Sequence, residues 1–313
     1  MPLQRKILMG AAGLGVGAIM LALGFGPQSG GGGRAVSTAN LDVAKHNALV
    51  EANDEVIGVL DTLWESGAMR PKPLPPGQDW TPDGGQLPTL SAGKFALARD
   101  KFHRASTLPG SAPALEAAAK PLVAALDAVA PTENNLQAYV DTRGYGEDHG
   151  RKGQQLTSVL IPQAQAVNMA ETGMRDAIDA DNMARSRTLL GKLPASSREH
   201  AAMQASLDSR EAYGALTHAG PAEHRDYTAF TRALQALETD DATLRTSAEQ
   251  GASDAYKQAY RSFSSEMDTL VGQGRHLVEV AQAGGNTRIE VIKFVRIYNA
   301  GVAEMNAFHL HAP

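Results

Sequence analysis

The chain has 313 residues, of which 43% are hydrophobic, 20% charged and 5% aromatic. That composition is globular rather than disordered or fibrous, and its scarcity of aromatics beside abundant alanine and leucine predicts helices. There is no cysteine, which excludes disulfides, zinc–thiolate and iron–sulfur centres, thiol catalysis and lipid attachment through an N-terminal cysteine. A net charge of −5 argues against a nucleic-acid partner.

Residues 1–39 read as an address. Arg5 and Lys6 precede twenty uncharged residues, 7–26, followed by Pro27 and a glycine run at 30–33. A basic start before an apolar stretch predicts a signal peptide or an N-terminal membrane anchor with a Gly-rich linker. Twenty helical residues rise about 30 Å, enough to span a bilayer core. The positive flank would stay cytoplasmic. The rest of the chain is therefore expected in the periplasm, soluble after cleavage or held to the inner membrane by residues 7–26. Six glycines in that stretch favour cleavage, whereas the small-residue sites at Gly33/Ala35 and Ser37/Ala39 lie well past it and favour retention. Gly13 and Gly17 form a GxxxG, a weak pairing signal. Without its first 39 residues the chain carries 26 basic and 34 acidic residues, a net of −8.

Residues 40–313 read as a single all-α domain, an elongated bundle of about seven to nine helices. Val43, Val50, Ile57 and Trp64 repeat every seven residues, with Leu60 and Leu63 alongside, and predict the buried stripe of a helix over 40–66. Six prolines between 67 and 91 predict an extended loop. Trp80 within it suits either packing the loop onto the bundle or docking a partner, and packing is the more ordinary use of an indole. Helices are expected near 92–107 and from Pro113 to Ala130, kinked at Pro121. A short helix capped by Thr132 would follow over 133–142. Residues 144–150 predict a turn. A helical pattern then covers 154–190, interrupted near Pro162. Ser196 or Ser197 would cap a helix over 198–217, and helices near 222–246, 252–283 and 287–309 complete the chain. No alternating strand pattern occurs.

The first and last helices share polar positions beside an apolar stripe: Asn47 and Asn53 in one, Asn299 and Asn306 in the other. Asparagine is a poor helix former, and buried amides must be hydrogen-bonded. Interhelical contacts that fix register are the plainer expectation, and an amide-lined groove the sharper one.

These segments, with their Tyr-Asn-x-x-Val-type pattern at 298–302, resemble the YiiG-like family of bacterial envelope lipoproteins, which share a helical domain of unknown function. Residues 112–156 strengthen the likeness, with an alanine-rich helix, Ala138-Tyr139, Tyr145, Asp148, Gly153 and Leu156. His46 stands where the family pattern has tyrosine, Ala138 replaces one tyrosine of a pair, and no cysteine receives lipid. The resemblance covers roughly 40–310 and implies an envelope domain without an established activity.

Gly274-x-His276-x-x-Glu279 is similar to the signature of imelysin-like, metal-associated envelope proteins. His276 and Glu279 share a helical face, so a metal-binding protein using both is the alternative reading, against a plain surface pair. The acidic residues Asp176, Asp179, Asp181, Asp240 and Asp241 read as solvated faces. His200, His218 and His224 lie near helix ends, where an imidazole can act as a cap. There is no nucleophile elbow, phosphate loop or HExxH. No enzymatic activity and no cofactor are therefore expected. The expected partners are the inner membrane, if the leader is retained, and another envelope protein, through a structural or interaction role.

Overall fold

A computed structural model describes residues 38–65, 80–82, 93–219, 226–248 and 254–309, and within these the side chains of 38–39, 64–65, 247–248, 254–256 and 305–309 are not described. The predicted leader and most of the 67–91 loop lie outside the described residues. So do His224 and the side chains of Trp64 and Asn306.

Among the described residues there are nine helices and no strand. They are α1 (Thr38–Glu65), α2 (Lys94–Thr107), α3 (Pro113–Asp141), α4 (Tyr145–Asp148), α5 (Arg151–Leu190), α6 (Arg198–Thr217), α7 (Thr228–Ala248), α8 (Asp254–Gln282) and α9 (Arg288–His309). The all-α expectation holds. No described helix is long and apolar enough to cross a membrane.

The helix breaks expected after Ala130 and near Pro162 do not occur. α3 runs through both Pro121 and Pro131, and Thr132 is buried within it rather than capping a new helix. A proline removes one helical donor and crowds the carbonyls of the preceding turn. Here Gln163 of a neighbouring helix donates through Nε2 to the Ala128 carbonyl at 2.9 Å, one residue on from the Asp127 carbonyl that Pro131 leaves without its helical donor. α5 likewise continues through Pro162 for 40 residues. The 144–150 turn contains the single-turn helix α4. Ser197 does cap α6, accepting the His200 N–H at 3.1 Å.

The chain divides into two compact units, with the boundary inside α5 between Asp181 and Asn182. In the N-terminal unit α1, α2 and α3 pack in sequence, and the first three-quarters of α5 completes the core. Phe95, Ala98, Phe102 and Ala105 form the buried stripe of α2. Each buried phenylalanine contributes about 1.5–3 kcal/mol. In the C-terminal unit α6 to α9 pack as successive neighbours, and α9 returns to α6. Phe230 meets Phe294 edge-on at 5.1 Å, and Tyr213 stacks on Tyr298 at 4.6 Å.

The buried stripe of α1 includes the expected Leu60 and Leu63 but not the expected valines and Ile57. Val43, Val50 and Ile57 are only half-buried. Lys45, Ala52 and Val59 are enclosed, and so is a seam of His46, Leu49, Asn53, Val56, Leu60 and Leu63. The seam's spacing alternates three and four, the period of a helix seam. Two seam positions are polar, and a hydropathy pattern passes over them.

Candidate functional site

The same substitution of a polar group into an apolar seam recurs in four other helices, and these groups are the chemically distinctive feature of both units. In α3, Glu133 occupies the stripe of Leu122, Leu126, Val129 and Leu136. Its carboxylate accepts the N–H groups of Lys94 and Phe95, each at 3.1 Å, and so caps the start of α2. The first N–H groups of a helix have no partner within it. Burial pushes Glu133 up to about 6 against the pull of those two donors.

Between α1 and α5, Asn53 donates to Glu171 at 3.5 Å, and Arg175 binds both oxygens of the same carboxylate. Seven residues earlier on α1, His46 Nδ1 lies 2.9 Å from the Asp181 carboxylate. The partners on α5 run backward as α1 runs forward, so these contacts fix an antiparallel register. Asp181 is thus not the solvated acid expected from its sequence neighbours.

The turn after α3 is organised by Asp148. Its carboxylate accepts the Tyr139 hydroxyl at 2.5 Å and the N–H groups of Gly150 and Lys152 at 3.0 and 2.9 Å. The Tyr139 contact, followed by these amides, lowers Asp148 below the usual carboxylate range. Burial and the same contact push Tyr139 up to about 12. Tyr145 meets Tyr139 edge-on at 6.5 Å. Trp80 lies against this turn and packs on the core of the N-terminal unit. Its backbone N–H reaches the His149 carbonyl at 3.4 Å. Gly150 has a φ of +78°, and a Cβ there would collide with the Trp80 Cβ and backbone. Glycine is needed on both counts.

In the C-terminal unit Asp241 sits in the stripe of Phe230, Leu234, Leu237 and Leu244. It accepts the Ser264 hydroxyl at 2.6 Å and Arg245 at 2.6 Å, and Arg245 also reaches Asp268 at 2.7 Å. Burial raises its pKa, opposed by Ser264 and Arg245. The expected solvated face is therefore a buried tie from α7 to α8. Asp208 of α6 is also enclosed and accepts from Gln204 at 3.0 Å. Burial, then the facing Asp240 carboxyl, pushes it up to about 8.

His276 and Glu279 lie on the surface, 54% and 75% exposed, with Nδ1 and Oε2 3.7 Å apart. The other imidazole nitrogen is 3.7 Å from Glu290. Glu290 is already held by Gln273 at 2.7 Å and Lys293 at 3.0 Å, and the Gln273 bond, followed by Lys293, lowers its pKa. Among the described residues no group of three or more histidines and acids is arranged to hold a metal. Gly274, the first residue of the imelysin-like pattern, is buried where a Cβ would come within 2.6 Å of Leu234. Packing of α8 on α7 accounts for that glycine.

Asn47 and Asn299 are half-buried, in α1 and α9. His218 Nδ1 lies 2.8 Å from the Gly214 carbonyl at the end of α6. An open groove of about 560 Å³ between the start of α7 and the end of α8 is lined by Tyr227, Thr231, Arg232, Gln235 and Val278, among others. It contains no buried charge. Sequence reading singled out Asn53, but not its partner Glu171, nor Glu133 or Asp208, and it placed Asp241 on a solvated face. Their only signal is a position in phase with the apolar stripe.

The family described as "Protein of unknown function (DUF3829)" matches residues 94–291. The match spans parts of both compact units. It contains the 112–156 stretch but neither of the asparagine-bearing segments in α1 and α9. The narrower YiiG-like likeness rests on the sequence resemblance alone. Comparisons with curated proteins and with solved structures give no match.

Proposed function

The chain belongs to the DUF3829 family of unknown function, and from that premise we propose that it is a non-enzymatic, periplasm-facing interaction module of the bacterial cell envelope. The observation that carries this reading is how the buried ionisable groups other than Asp208 are used. Glu133 caps a helix, Glu171 and Asp181 bind α1 to α5, and Asp241 ties α7 to α8. Groups used as ties hold a scaffold and are not poised for proton transfer to a substrate. The leader, Arg5 and Lys6 before residues 7–26, supports export.

Fractionation with N-terminal sequencing tests the location. The expected result is protection from protease in intact cells and cleavage in spheroplasts, with the leader either removed or retained in the inner membrane. A cytoplasmic chain beginning at Met1 overturns the export reading. A catalytic turnover lost on substituting clustered polar residues overturns the non-enzymatic one. The metal-associated alternative through His276 and Glu279 predicts stoichiometric metal and a thermal shift abolished by His276→Ala. With Glu290 already occupied, the expected outcome is no shift with iron, zinc or copper in either protein, read by differential scanning fluorimetry.

A further inference from the structure

α5 carries a second seam, on the side opposite its buried one. Lys152, Gln155, Val159, Pro162, Ala166, Met169, Gly173 and Asp176 are spaced alternately by three and four, and all eight are exposed. Val159 is 47% and Met169 74% exposed. No charged residue occurs from Gly153 to Ala170. Exposed helix faces ordinarily carry charge. This one has charges only at its ends, basic at Lys152 and acidic at Asp176.

The stripe is its own complement when reversed. A two-fold axis at the level of residue 164 sets Val159 opposite Met169 and Pro162 opposite Ala166. It sets Gln155 opposite Gly173 and, at both ends, Lys152 opposite Asp176. A Cβ at Gly173 would meet nothing within 4 Å, so the face is open there to an approaching backbone. Self-complementarity of one patch is what a two-fold homodimer requires.

We propose that the outer face of α5 is a homodimer surface, on which two copies pair antiparallel about an axis near residue 164. The proposal deepens the interaction-module reading by naming one partner, a second copy of the chain. The strip from 152 to 176 is about 36 Å long. A single helix pair of this length falls near the small end of specific interfaces, so the dimer is of the weak, concentration-dependent class.

The absence of cysteine allows a clean test on the full chain. Val159→Cys mixed with Met169→Cys is expected to give a disulfide-linked dimer under mild oxidation. Val159→Cys alone is expected to give none, because its two copies would lie about 15 Å apart along the axis. Met169→Glu, at a position that touches no core, is expected to shift sedimentation equilibrium to monomer with an unchanged melting curve. Lys152→Glu is expected to weaken the dimer about tenfold, and Lys152→Glu with Asp176→Lys to restore it. A monomer up to about 100 μM, self-linking of Val159→Cys, or a Met169→Glu protein still dimeric through the Gly13/Gly17 stretch overturns the proposal. None of these outcomes touches the export and protease results, so the broader reading fails or stands separately.

Discussion

At the scale of single residues, the cost of enclosing a carboxylate is offset only when donors meet it. Glu133 meets two, the Lys94 and Phe95 amides, which have no acceptor within α2. Glu133→Ala leaves both unpaired and is expected to cost about 1–2 kcal/mol at neutral pH. Urea unfolding reads the loss, and faster hydrogen exchange at the Phe95 amide locates it. Glu133 is hard to see in sequence for a definite reason. A charged residue in phase with an apolar stripe looks the same whether it interrupts the stripe or belongs to it. What decides is a helix start 39 residues away in the chain, and no local pattern reports that.

At the scale of elements, the helix boundaries were legible because they depend on local chemistry. Ser197 reads as a cap and is one. The prolines mislead in the other direction. Propensity predicts breaks at Pro131 and Pro162, yet tertiary packing holds both helices together, and Gln163 supplies a donor beside the Pro131 turn. The α3–α5 junction shows a third case. Gly150 combines a positive φ with contact against Trp80. Gly150→Ala is expected to destabilise by about 2–4 kcal/mol, from the left-handed conformation together with overpacking. Trp80→Ala keeps the Cβ, Cα and carbonyl oxygen that the added methyl meets, so adding it to Gly150→Ala should recover none of the loss, as thermal melts of the single and double variants check.

For the whole molecule, the enclosed acids set the pH dependence of folding. A carboxyl whose pKa is higher in the folded state than in the unfolded chain favours folding when protonated. That contribution is present below the unfolded value and is lost as pH rises through the folded one. For Glu133 the window runs from 4.5 to about 6, and for Asp208 from 3.8 to about 8. Asp148 and Glu290 act in the opposite sense, because their pKa values are lowered and their contributions vanish in acid. Stability is therefore expected to fall from pH 6 to pH 8, chiefly through Asp208. Asp208→Asn should melt like the natural protein at pH 4, melt higher at pH 8 and show a flatter profile between. Melting temperatures across that range check it, and an unchanged slope in the variant would remove Asp208 as the cause.

The sequence by itself determined that this chain is helical, where most helices begin and end, and which residues could cap them. Those properties follow from hydrophobic period and short-range hydrogen bonding, both contained within a few residues. Tertiary structure alone decided which polar residues enter the seams. His46, Asn53, Glu133, Glu171, Asp208 and Asp241 are enclosed because another helix stands against each of them, although hydropathy alone would place them in water. Among the described residues it also leaves the outer face of α5 exposed. A second seam on one helix has meaning only once the first is known to be occupied.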